Sequence, residues 1–146
     1  MDQPSFDVYQ NCKSGEFVIS RNFKDEHGLH CDTGPFLKFT QEQMKSDGLR
    51  FAEEHFTLFA TRKVGEPSQF RKMPPIEQKR FRRDHIHVFV YRHKPNEIRF
   101  SPTHLVMRKG HVIPIARDPE YRVHLPWPTT AERFYEALLA ALENAC

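Results

Sequence analysis

The sequence predicts an α+β fold, an antiparallel β-sheet with helices packed on one face, in a single globular domain covering residues 1–146. Three observations lead there. Short apolar runs parted by turn residues fill the chain from His85 to Leu125, as in a meander of strands. A broad apolar stripe at helical spacing closes the chain, wide enough to dock on a sheet. The length of 146 residues, with 38% hydrophobic and 28% charged content, suits one domain with its own core.

From the N-terminus, Glu16-Phe17-Val18-Ile19-Ser20 is strand-like, residues 25–35 are rich in turn formers, and Phe36–Phe39 is a short extended piece. Thr40-Gln41-Glu42-Gln43 is a capping box, so a short helix starts there, which Ser46-Asp47-Gly48 is expected to interrupt. A longer helix follows, with Leu49, Ala52, Phe56, Phe59 and Ala60 at helical spacing and Gly65–Pro67 as its end; that spacing outweighs a strand at His55–Phe59. Met73-Pro74-Pro75 marks a break, and Ile76–Arg83 reads as a helical turn or an approach loop. Strands are predicted at His85–Arg92, Glu97–Phe100, Leu105–Arg108, His111–Ala116 and Tyr121–Leu125. Pro114 marks an edge or a bulge. Thr129-Thr130-Ala131-Glu132 is a second capping box, opening a helix whose stripe is Phe134, Leu138, Ala141, Leu142 and Ala145, widened by Ala137, Leu139 and Ala140.

Composition narrows the function. The apolar runs are too short for a membrane helix, and Met1-Asp2-Gln3-Pro4 does not read as a secretory start. Three cysteines (Cys12, Cys31 and Cys146) without CxxC spacing argue against a disulfide framework or zinc ribbon and place the chain in a reducing cytoplasm. No cofactor and no metal is expected. Charge is uneven: residues 1–70 carry net −3, residues 71–94 net +6 and residues 95–146 net zero. The basic block suits phosphates or an acidic protein, and is equally what a solvated surface carries.

One motif points to chemistry. In Asp84-His85-Ile86-His87-Val88-Phe89-Val90-Tyr91, strand alternation puts His85 and His87 on one face and Ile86, Val88 and Val90 on the other. HUH-type nucleases hold a cation with such a pair and attack a DNA phosphodiester with a helical tyrosine, here Tyr135; His55-Phe56-Thr57-Leu58-Phe59 is similar to the first motif of rolling-circle replication initiators. Against this, the lysine usual three residues after the tyrosine is Leu138, and no third ligand accompanies the pair. His27-Gly28-Leu29-His30-Cys31-Asp32 has metal-capable atoms without zinc spacing. The HUH reading is therefore kept as the alternative to a binding function.

The layout of three stretches resembles small bacterial immunity proteins of contact-dependent growth inhibition and related polymorphic toxin systems. They are Phe39–Met44 with Gly48-Leu49 and the helix after it; Phe81–His85, Val88-Phe89-Val90 and Glu97–Pro102; and Glu132–Leu138. The resemblance implies a non-enzymatic cytoplasmic protein that forms a one-to-one complex with a cognate toxin domain, often a nuclease, and blocks its active site. It implies no membrane partner, and direct nucleic-acid binding is not expected. Inhibitors of nucleases are often acidic, whereas this chain is basic overall. The candidate contacts are carboxylates of the acidic half, Asp25, Glu26, Asp32, Glu42, Glu53 and Glu54; the alternative is that the basic block binds an acidic toxin.

Overall fold

The computed structural model describes residues 3–25, 27–59 and 67–146, with backbone alone at 111–112. Along the chain run β1 (Ser5–Asn11), β2 (Phe17–Lys24), β3 (His30–Phe39), α1 (Gln41–Phe59), α2 (Gln69–Lys72), α3 (Pro75–Asp84), β4 (His85–Lys94), β5 (Glu97–Arg108), β6 (His111–Ala116), β7 (Val123–Pro126) and α4 (Ala131–Leu142). The strands form one sheet in the order β3-β2-β1-β4-β5-β6, with β7 also on β5, and every pairing is antiparallel. The fold is α+β, as the sequence predicts.

Strand alternation sorts the side chains into two faces. Phe6 and Val8 of β1, Phe17 and Ile19 of β2, Val88 and Val90 of β4, and Ile98 and Phe100 of β5 are buried beneath α1 and α4. Met44, Ala52 and Phe56 of α1 and Phe134, Leu138 and Ala141 of α4 complete this core. Full burial of each large apolar side chain contributes about 1.5–3 kcal/mol. The two long helices thus share one face. The short α2 and α3 lie on the other, where Phe81 meets Tyr9 at 4.9 Å and stacks on His85 at 4.0 Å.

The first long helix starts on the capping box that the sequence predicts, and the last starts one residue later than its predicted box at Thr129–Glu132. The Thr40 amide donates to Gln43 Oε1 (2.9 Å) and the Gln43 amide to Thr40 Oγ1 (3.1 Å), a reciprocal box. At α4 the cap is Thr130, whose hydroxyl accepts from the Arg133 amide at 3.2 Å.

Four expectations change. The helix predicted in two pieces is one, 19 residues long. Gly48 sits in its middle because α4 passes close: a Cβ there would stand 2.9 Å from Met44 Sδ and 3.3 Å from a Phe134 ring carbon. The glycine serves packing and does not break the helix, despite costing about 1 kcal/mol in helix propensity. The turn-rich stretch before Phe36 holds much of β3, which runs from His30 with an irregularity in its pairing to β2. The two strands expected around Ser101-Pro102 are one strand, β5. Pro102, which has no N–H, is the last residue of β5 paired with β4, and pairing with β6 begins at the next residue, so the missing donor falls at a change of partner. Finally, β1 is a strand that the sequence reading does not predict. Its Ser5-Phe6-Asp7-Val8-Tyr9 alternates polar and apolar, and it lies in the middle of the sheet.

Candidate functional site

The second sheet face carries a polar cluster built by the pairing of β1 with β4, which sets Tyr9 opposite His87 and Asp7 opposite Phe89. His87 Nε2 lies 2.6 Å from Asp7 Oδ1, and its Nδ1 lies 2.9 Å from Thr103 Oγ1. The Thr103 hydroxyl donates to the His87 carbonyl at 3.2 Å. Asn22 Nδ2 donates to Asp7 Oδ2 (3.0 Å) and Ser5 Oγ (3.3 Å). The Tyr9 ring stacks on His87 at 4.7 Å, and burial, with Asp7 and Asp32 adding to it, holds its phenol pKa well above the usual value. Neither ring nitrogen of His87 is left over for a cation, because each already meets a side-chain oxygen. Thr103 is buried and its proton is engaged, so it offers no nucleophile. The cluster closes on itself, which suits a role in fixing strand register and packing.

Above it opens a cavity of about 430 Å³ lined in part by Asp7, Tyr9, Asn22, Asp32, Phe70 and Arg82. Its carboxylates are already paired. Asp32 Oδ1 meets Arg71 Nε at 2.8 Å and Oδ2 takes the Ser68 hydroxyl, while the Arg82 guanidinium lies 4.8 Å from the Phe70 ring centre. The two Asp32 contacts and the bond from the Phe36 amide to Gln69 Oε1 (3.0 Å) pin α2 to β3, and the Arg82–Phe70 contact ties α3 to α2.

The residues of the HUH reading do not converge. His85 shares the face of His87, but its Nδ1 lies 2.7 Å from the Phe81 carbonyl and its ring is stacked on Phe81. Tyr135 is on α4, across the sheet, with its ring 6.5 Å from Phe17. The sheet therefore stands between the tyrosine and both histidines. His55 is fully buried inside α1, its Nε2 2.6 Å from the Ser5 carbonyl oxygen. His30 packs against Phe59 at 5.0 Å. Among the described residues, no group of three or more His, Cys, Asp or Glu side chains could hold a metal ion.

The six carboxylates read as contacts are spread over the acidic half. Asp25 Oδ1 accepts from the amides of His27 and Leu29, both at 2.8 Å, which lowers its pKa and closes the β2–β3 turn. Asp32 holds α2, as above. Glu26 lies outside the described residues. Glu42 is exposed in the first turn of α1, about 16 Å along the helix from Glu53 at 1.5 Å per residue. Glu53 and Glu54 are exposed side by side. The basic block emerges mainly as α3, on the opposite sheet face; Lys79, Arg80 and Arg83 share one exposed side of it with Ile76, at the i, i+3, i+4, i+7 spacing of one helical stripe.

No family model matches the sequence, and no curated protein matches it. The fold does have solved counterparts. A protein of unknown function, NMB0488 from Neisseria meningitidis, superposes with a TM-score of 0.63 at 13% identity, over 99% of this chain and 96% of that one. A chain of the CdiA-CT/CdiI toxin and immunity complex from Yersinia pseudotuberculosis superposes with a TM-score of 0.62 at 10% identity, over 100% of this chain and 99% of that one. At such identities the likeness is one of fold. No helix among the described residues is long and apolar enough to cross a membrane.

Proposed function

We propose that this protein is a toxin immunity protein of a contact-dependent growth inhibition or related system, acting in the bacterial cytoplasm. It binds a cognate toxin domain one to one and neutralises it by covering its active site, with no catalysis or cofactor of its own. The observation that carries the reading is the end-to-end fold likeness to a chain of a toxin and immunity complex. The polar clusters support it, since their donors and acceptors are engaged in holding the fold together. Against a nuclease with a basic cleft, Glu53 and Glu54 are the acidic contacts, because they are exposed and adjacent. The test is co-expression with the toxin domain encoded beside this gene. Protection of the cells, together with a one-to-one complex by light scattering, is the expected result. Unprotected cells and no complex would overturn the reading.

A further inference from the structure

The segment from Arg71 to Lys94, where the positive charge concentrates, has no part in the reading above, and its surface has a definite shape. Ile76, Lys79, Arg80 and Arg83 of α3 face Leu105 of β5 across a groove of about 510 Å³. Ile76 is 61% exposed, and Met107, on the same face of β5 as Leu105, is 66% exposed. Such exposed apolar side chains beside an apolar recess mark interaction sites. The hydrocarbon stems of the lysine and arginines extend the apolar wall and leave their charged ends at the rim. Lys79 and Arg80 have no ion-pair partner among the described residues, and Arg83 meets only the exposed Asp84, at 3.2 Å.

We infer that this groove is a docking surface for an acidic protein segment that presents one or two large apolar side chains. The rim cations select for acid and the aliphatic floor supplies the anchor. The groove volume lies within the roughly 300–1,000 Å³ usual for binding recesses. A single-stranded nucleic acid fits less well, because among the described residues no aromatic side chain lines the groove to stack a base. The surface lies across the sheet from Glu53 and Glu54, so the inference stands or falls apart from the toxin reading.

The test is fluorescence anisotropy on the intact protein at low salt. The probe is a fluorescein-labelled helical peptide of about three turns, with leucines at i and i+4 and glutamates elsewhere. Saturable binding is expected. It should weaken at least about tenfold in Ile76→Glu, in the double variant Arg80→Glu with Arg83→Glu, and when alanine replaces the probe's leucines, while Glu132→Lys, at an exposed position on α4, binds as the parent does. Ile76 is exposed, so its variant keeps the fold, which circular dichroism checks. Four results would overturn the inference. The first is no saturable binding, and the second is equal binding of the alanine probe, which is charge alone. The third is tighter binding of oligothymidylate of matched charge with the same variant pattern, which is a nucleic-acid surface. The fourth is self-association abolished by Ile76→Glu, which is a second copy in the groove.

Discussion

His55 makes the stability of this fold depend on pH, with a sign and size that follow from its surroundings. The ring is fully buried, 5.0 Å from Phe23 and stacked at 5.8 Å on Phe51. Burial pushes its pKa down from 6.5 to about 4; the nearby Arg21 charge adds to this, and hydrogen bonding to the Ser5 and Asn22 backbone opposes it. A group whose folded pKa lies below its unfolded one takes its proton preferentially in the unfolded chain. Its contribution is therefore whole above about pH 6.5, falls as the pH drops, and levels off below about pH 4. At about pH 5 the unfolded chain holds this proton and the folded chain does not, which at about 1.4 kcal/mol per unit costs about 2 kcal/mol relative to pH 7.5. The assay is urea unfolding at both pH values for the parent and for His55→Gln, whose amide can still donate to the Ser5 carbonyl. The variant should start less stable, yet its deficit should shrink by about 2 kcal/mol on moving to the lower pH. An equal pH dependence in both proteins would refute the argument.

Other outcomes follow from the same structure. Leu138→Ala, at a fully buried site between α4 and the sheet, should cost about 2–5 kcal/mol in urea unfolding. His87→Ala leaves Asp7 Oδ1 without its partner and empties the space under the Tyr9 ring, and should cost about 1–3 kcal/mol, measured the same way. Purified protein mixed with single-stranded DNA and Mg²⁺ or Mn²⁺ should form no covalent adduct at Tyr135 by mass spectrometry, because the sheet separates that phenol from His85 and His87. Charge reversal at Glu53 and Glu54 should slow association with a basic toxin domain and flatten its salt dependence, whereas reversal at Arg82 and Arg83 should change little; surface plasmon resonance reads both.

What could be read in the sequence had a local cause. The capping box at Thr40 and the stripe from Phe134 to Leu142 are set by residues within a turn or two of one another, and the structure keeps them. The alternation of Ile86, Val88 and Val90 likewise fixed which side of β4 is buried against the helices. Features set by distant partners were misread or missed. Gly48 reads as a breaker until α4 is laid against it, and Pro102 reads as a turn until β4 and β6 are seen to divide β5 between them. The polar cluster was half visible: His87 stood out, but Asp7 lies 80 residues before it and Thr103 16 after. The period-two pattern of Ser5–Tyr9 was the available clue to Asp7, and the turn-rich sequence that follows obscured it.

The central place of β1 also sets an order of events as the chain is made. Ser5 ends up opposite Tyr91 and Asn11 opposite His85, so one of the two neighbours of this strand is synthesised long after the strand itself. Until residues 85–94 leave the ribosome, the β1–β2–β3 meander carries an open hydrogen-bonding edge along its β1 side, and the sheet beneath Phe6 and Val8 is incomplete. Such an edge pairs readily with other chains, and closing so long a loop slows folding. Nascent chains halted before residue 85 should aggregate or recruit chaperones, and release should come abruptly once β4 is complete, a timing that ribosome-bound chains of graded length would record.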